Sequence, residues 1–210
     1  MLAVNAPILA QPSGTSLAAL RRQARDCTAC PLYRAATQTV FGEGPARARL
    51  VLVGEQPGDE EDRTGHPFVG PAGQLLDRAL AEAGLDRAAA YVTNAVKHFK
   101  FVREGKRRLH QKPGPREIAA CRPWLEAELA RLRPAVVVAL GATAAQTLMG
   151  PAFRVLRDRG HRFATPGGLP LVATVHPSSI LRAPPERHDA EYGAFVSDLK
   201  VVARFLKTLS

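Results

Sequence analysis

Residues Leu50–Asp59, LVLVGEQPGD, decide how this chain is read. Leu50, Val51, Leu52 and Val53 form an unbroken apolar run. Four such residues without a polar partner suit a strand covered on both faces of a parallel sheet. Gly54 and Gly58 open backbone angles closed to other residues, and Pro57 stiffens the turn between them. The turn therefore sets an acid, Glu55, and an amide, Gln56, at the carboxyl end of a buried strand, where open α/β sheets bind their ligands. Such a turn is as often a bare connection, so its weight depends on what the rest of the chain sets beside it.

Downstream, residues 59–73 (DEEDRTGHPFVGPAG) read as a long loop rich in Gly and Pro, with Glu60, Glu61 and Asp62 as a solvated face. Phe68, between Pro67 and Gly70, either anchors that loop in the core or offers a stacking platform. An amphipathic helix, GQLLDRALAEAGL, follows and closes at Gly84. AYVTNAVKHFKF is a second strand, interrupted at Thr93 and Asn94; Asn94 is either an Asx turn or a bidentate amide held above the sheet. Residues 101–115, FVREGKRRLHQKPGP, read as a long basic loop. A helix over 115–132, a strand over 135–140 (AVVVAL) and a helix over 141–149 come next. PLVATVHPSSILR supplies the last strand, ending at His176-Pro177. The terminal helix, 189–206, carries Phe195, Leu199, Val202 and Leu206 on one face. On the other side of the opening stretch, residues 1–15 lack periodicity and read as poorly ordered, a short helix leads to Cys27, and 31–49 is mostly loop with a short strand near Thr39. Strands alternating with helices predict an α/β fold: a three-layer α/β/α sandwich around a mainly parallel, four-stranded sheet, as a single domain over 16–210.

Composition narrows the partner. The chain has 210 residues, 46% of them hydrophobic, a net charge of +10 and an isoelectric point near 10.2. That balance favours an anionic partner, nucleic acid ahead of membrane, against the plainer alternative of a compositional bias toward Arg and Ala. No apolar run approaches the roughly 20 residues of a spanning helix. No basic segment precedes the apolar residues of 1–11, so a secretory signal is not expected and the reading is cytoplasmic, with a monomer as the default. Three cysteines do not make a disulfide framework. Cys27-x-x-Cys30 and the distant Cys121 point to ligation of a metal or cluster, whose identity the spacing leaves open.

Three strand ends thus carry chemistry: Glu55–Gln56, Asn94 and His176. Lys106, Arg107, Arg108 and His110 follow just after the second. An amide, an aromatic ring, an imidazole and a carboxylate in one cleft can hold a planar heterocycle, and enzymes that act on a base rotate it out of the stack into such a pocket.

GEQPG (54–58), HPFVGPAGQLLD (66–77), YVTNAVKHFK (91–100), CRPWL (121–125) and VATVHPSS (172–179) together resemble the family 4 uracil-DNA glycosylases, in order and over nearly the whole chain. Gln56, His98 and the KRRLH insertion (106–110) depart from that family's ordinary pattern and resemble its UdgX branch. The resemblance implies a [4Fe-4S] cluster held by Cys27, Cys30, Cys121 and, at the fourth position, His98. It implies that Asn94 reads the uracil edge, Phe68 stacks on the ring, and Gln56, Gly58 and Asp59 shape the pocket. His176 would donate to the uracil O2. His110 would attack C1′ of the deoxyribose and remain attached, with Glu55 stabilising the cationic sugar. Uracil would leave DNA, single strands included, in one turnover. Lys106, Arg107, Arg108, Lys112, Ser178 and Arg182 would contact the DNA, with Ser179 assigned to hydrogen bonds nearby. The rival expectation is a conventional, multiple-turnover glycosylase in which water attacks instead.

Overall fold

The apolar runs of the sequence become the interior of one sheet. The structure, a computed structural model, describes residues 10–209. β1 (Leu50–Gly54), β2 (Ala90–Asn94) and β5 (Val136–Leu140) are buried at every position, and β7 (Pro170–Thr174) at all but its first. Side chains on successive strand residues point to opposite faces. On one face Leu50, Leu52, Val138, Leu140 and Val172 pack against Leu76, Leu80, Ile180, Phe195, Leu199 and Val202. On the other, Val51, Val53, Val137, Ala139, Leu171 and Ala173 meet Leu125, Leu132, Ala144 and Ala145. The first set of partners comes from α3 (Pro71–Glu82), α7 (Pro177–Leu181) and α8 (Pro185–Lys207), and the second from α4 (Pro115–Leu132) and α5 (Ala142–Met149). That is a three-layer α/β/α sandwich.

The sheet has five strands rather than the expected four, in the order β2-β1-β5-β7-β6. Four are parallel; β6 (Arg162–Ala164), preceded by the short α6 (Val155–Asp158), adds an antiparallel edge along β7. With three residues in a polar stretch, β6 carries no apolar run that would announce it. The register places Gly54 beside Asn94, Val53 beside Ala139, and Leu140 beside Thr174. The carboxyl ends of all four parallel strands therefore finish at one level.

Three further expectations are corrected. Residues 101–110 are not loop but a hairpin of β3 (Phe101–Glu104) and β4 (Arg107–His110), turned at Gly105, which holds φ +57°. A glycine opening a two-residue connection with positive φ matches the right-handed twist of the strands, a signal hidden by the flanking charges. Glu61 and Asp62, expected in solvent, are buried on α2 (Asp59–Thr64). Near Thr39 there is no strand; one antiparallel bridge joins Glu43 to Val92 at the sheet's edge. Of the N-terminal segment expected to be poorly ordered, residues 1–9 lie outside the described residues. The remainder is tied down: Ala10 donates to the Ala120 carbonyl, and Gln23 of α1 (Leu17–Ala24) bonds Gln11 and Ser13. No helix among the described residues is long and apolar enough to cross a membrane.

A charged cluster sits inside this core. The Glu128 carboxylate of α4 accepts from the Gly42 N–H, the Tyr91 hydroxyl and Thr93. It also pairs with Lys97, and both side chains are essentially sealed from water. Lys97 places its other protons on Thr93 Oγ1 (2.6 Å) and the Asn94 carbonyl (2.7 Å), so the ammonium is fully satisfied. Burial and the adjacent carboxylate push the Tyr91 hydroxyl well above the usual phenol range. Removing one partner of such a pair strands the other charge. Lys97→Met is expected to destabilise the fold by about 3–5 kcal/mol, measured by urea denaturation, and Lys97→Met/Glu128→Leu to recover part of that loss.

Candidate active site

The level strand ends open into a cavity of about 570 Å³, within the usual range for a small-ligand site. Its lining includes Glu55, Gln56, Gly58, Phe68, Asn94, His110, Lys112, His176, Ser178 and Arg182. Residues expected from five separate stretches of sequence therefore share one space. Asp59, Lys106, Arg107 and Arg108 are not among them.

Asn94 ends β2 with its amide in the cavity, and its Oδ1 is buried without a hydrogen-bond partner. A buried acceptor left open is costly unless something supplies a donor. Beneath it lies Gly54: a side-chain carbon there would collide with Asn94 Oδ1 and come within 2.6 Å of the Phe68 ring. Glycine is required at this strand end because the amide and the ring both rest on its backbone.

Phe68 is itself constrained. Its φ is +60°, the left-handed region that a bulky residue adopts only when its surroundings impose it. Two contacts impose it. Gly73 of α3 lies so close to the Phe68 carbonyl that no side chain fits there, and the buried Glu61 accepts from the Gly70 N–H (2.9 Å) and the Gly58 N–H (3.0 Å). Glu61 thus staples the Glu55–Gly58 turn to the Phe68 loop. Phe68 lies stacked 6.0 Å from the His176 ring, centroid to centroid.

His176 precedes α7. Its Nδ1 accepts from the Ser178 backbone N–H (3.2 Å) and also meets the Ser178 hydroxyl (2.8 Å). A backbone N–H can only donate, so Nδ1 carries no proton and the neutral ring keeps its proton on Nε2. Burial, with Arg182 and His110 adding to it, pulls the His176 pKa down to about 4. The ring is a neutral donor throughout the physiological range.

His110, at the end of β4, brings Nε2 to 3.5 Å from Glu55 Oε1. Burial lowers its pKa, opposed by Glu55 and reinforced by Arg182. The net direction favours the neutral ring. Position follows from the hairpin's anchors. Gln56 Nε2 donates to the carbonyls of Lys100 and Gln111, and the Lys100 N–H donates back to Gln56 Oε1, so one amide clasps both feet of the hairpin. Gln56, expected to shape the pocket, spends its amide on that clasp. Arg108 shares the inward face with His110 and donates to Asp59, to Asp62 (2.6 Å) and to Thr37, with Phe99 and Phe101 beside its guanidinium. Arg108 is engaged in this latch and, like its partner Asp59, lies outside the cavity lining.

Glu55 itself is held by Thr143, whose hydroxyl donates to Oε2. Thr143 had no place in the sequence reading. It stands three residues beyond the end of β5, the strand end to which no chemistry had been assigned.

The expected cluster ligands form a second assembly behind β2. Cys27, Cys30 and Cys121 belong to one packed group with Leu20, Trp124 and Val96. The Lys97 N–H donates to Cys121 Sγ and Trp124 Nε1–H to Cys27 Sγ, each at 3.2 Å. His98 is buried, with Nε2 2.9 Å from Thr39 Oγ1. Thr39 uses its only proton on the Ala24 carbonyl, so it must accept from His98, which leaves Nδ1 as the basic nitrogen. Among the described residues no three His, Cys, Asp or Glu side chains converge on a point that would hold a single ion. A cluster takes each ligand on a different iron, so wider spacing suits it. Hydrogen-bonded sulfurs and a tautomer-fixed imidazole are the donor set it needs.

Comparison with known proteins gives the family. The profile of the uracil DNA glycosylase superfamily matches residues 41–200. The type-4 uracil-DNA glycosylase of Thermotoga maritima is 43% identical over 159 residues, covering 75% of this chain and 79% of its own. Those of Pyrobaculum aerophilum and Archaeoglobus fulgidus are 34% and 36% identical, covering 83% and 84% of this chain and 87% and 88% of their own.

A histidine whose pKa is depressed in the fold destabilises it in acid: the stability is whole above about pH 6.5 and is lost as pH falls toward the folded value near 4. His176→Asn is therefore expected to narrow the gap between melting temperatures at pH 7.5 and pH 5.0, read by calorimetry. An unchanged gap would mean that the ring titrates normally.

Proposed function

We propose, on the premise that this chain belongs to the uracil-DNA glycosylase superfamily, that it excises uracil from DNA and stays bonded to the abasic sugar through His110. The observation that carries this reading is the gap of 3.5 Å between His110 Nε2 and Glu55 Oε1, at the mouth of the cavity that Asn94, Phe68 and His176 line.

The chemistry follows from these groups. Uracil enters the cavity beside Phe68, and its N3–H meets the acceptor that Asn94 Oδ1 leaves open; cytosine, with no proton on N3, leaves that acceptor stranded. The N1–C1′ bond breaks with its electron pair moving onto the base, where charge gathers on O2. His176 Nε2–H faces that charge as a neutral donor, and preorganised donors of this kind lower barriers by about 2.7–4 kcal/mol each. The sugar becomes an oxocarbenium ion next to the Glu55 carboxylate. The lone pair of His110 then forms the N–C1′ bond, giving an imidazolium that sheds its remaining ring proton to solvent, while the uracil anion takes one up. The linked imidazole has no good leaving group, so the reaction stops at one turnover.

Lys112 and Arg182 line the cavity mouth, and Lys106 and Arg107 sit at the exposed turn of the hairpin, placed to meet phosphates. A [4Fe-4S] cluster held by Cys27, Cys30, Cys121 and His98 would fasten the N-terminal segment, the end of β2 and α4 to one another. The chemistry it would supply here is that structural crosslink. The same reading places this protein in DNA repair, with uracil-containing DNA as its partner.

Incubation with a uracil-containing oligonucleotide, followed by denaturing electrophoresis, is expected to show a protein band shifted by the DNA. His110→Ser should abolish the shift and release free uracil through water. A shift that survives the substitution assigns the bond to another residue, and turnover by the unaltered protein supports the water-attack alternative. For binding, Arg182→Gln is expected to reduce the log–log salt slope by about 0.9. Arg108→Gln should leave the slope alone and lower thermal stability instead.

A further inference from the structure

Glu55 must present one oxygen to the His110 gap from the lining of an open cavity. A glutamate side chain has three free torsions, and a carboxylate without a fixed partner spreads over many of its rotamers. Here Oε1 faces His110 Nε2, and Oε2 is taken by the Thr143 hydroxyl. Among the described residues these are the two side-chain partners of the carboxylate. Thr143 is itself constrained. It is buried, β-branched, and seated in the first turn of α5, where its own carbonyl accepts from Thr147 (2.7 Å). Its placement is set by Gly141, whose φ of +89° lets β5 turn directly into α5, and whose missing side chain clears the His176 Cβ at 3.0 Å. The same turn thus fixes the position of His176 on one side and the donor to Glu55 on the other.

We infer that Thr143 is a positioning residue for the sugar-attacking step, holding the Glu55 carboxylate by Oε2 so that Oε1 remains over the reacting carbon. This rests on the reading that Glu55 and His110 act on C1′. Because Thr143 acts through Glu55, its loss should slow bond breaking without weakening DNA capture.

The test uses the full chain and a uracil-containing single-stranded oligonucleotide under single-turnover conditions. Thr143→Val keeps the shape and removes the donor. A hydrogen bond to a charged group is worth enough that its loss should cost roughly ten-fold or more in the maximal rate constant. The DNA concentration giving half that rate should not move. Thr143→Ser, which restores the hydroxyl, should return to within about two-fold of the original rate. Thr143→Val at the original rate, an effect confined to half-saturation, or a serine variant no better than valine would each overturn the role, whatever His110 does. Glu55→Gln at full rate, or an adduct that survives His110→Ser, would instead bring down the underlying reading, and with it this one.

Discussion

Everything at the active site depends on the register of four parallel strands. Gly54 lies beside Asn94, and Leu140 beside Thr174, so the chain leaves the sheet at one level in four neighbouring places. Each exit is then used within three residues: Glu55 after β1, Asn94 at the end of β2, Thr143 after β5 and His176 after β7. No single loop could set these groups so closely. A shift of one residue in any strand would also invert its two buried faces, so the packing that stabilises the sandwich holds the chemistry in alignment.

Two glycines translate that register into a pocket, and buried charge keeps it rigid. Gly54 lets the Asn94 amide and the Phe68 ring rest against bare backbone, and Gly141 makes the corner between His176 and Thr143. Below, the Lys97–Glu128 pair draws the Asn94 carbonyl, Thr93 and Tyr91 toward α4. The backbone N–H of the same Lys97 reaches Cys121. One residue therefore joins the floor of the pocket to the sulfur assembly behind it. A buried ion pair contributes little net stability, but it tolerates few alternative arrangements, and position is what a site of this kind requires.

Much of this was legible in the residues, and the misses share a cause. The buried strands were read from unbroken apolar runs, and the strand-end rule found Glu55, Asn94 and His176. The basic hairpin was not, because its charges read as solvated loop while the relevant signal was one glycine in a two-residue turn. Glu61 and Asp62 were misread for the same reason. A run of acids looks like surface unless the partners that neutralise it are known, and those partners, the Gly58, Gly70 and Thr37 N–H groups and Arg108, come from elsewhere in the chain. Arg108 and Arg182 are identical in sequence terms, yet one is locked by two aspartates and the other lines the cavity. Thr143 could have been found by applying the strand-end rule to all four exits rather than to three.

The charge states at the site form a consistent set. In the proposed reaction two imidazoles would face the base and the sugar; desolvation lowers the pKa of both, and a backbone N–H fixes the tautomer of His176. One carboxylate stands between them. On the proposed mechanism a positive sugar would appear beside the carboxylate and a negative base beside the neutral donor as the glycosidic bond breaks, so each new charge would arise where its opposite or a donor is already fixed. Were His176 protonated, it would hold the uracil anion more tightly but would bring a second cation toward His110 and Arg182. Were His110 protonated, it could not attack at all. Both requirements point to low imidazole basicity, the direction in which desolvation and Arg182 move both rings. The Gln56 clasp and the Arg108 latch thus hold the hairpin that brings His110 to Glu55, the geometry on which the proposed attack depends.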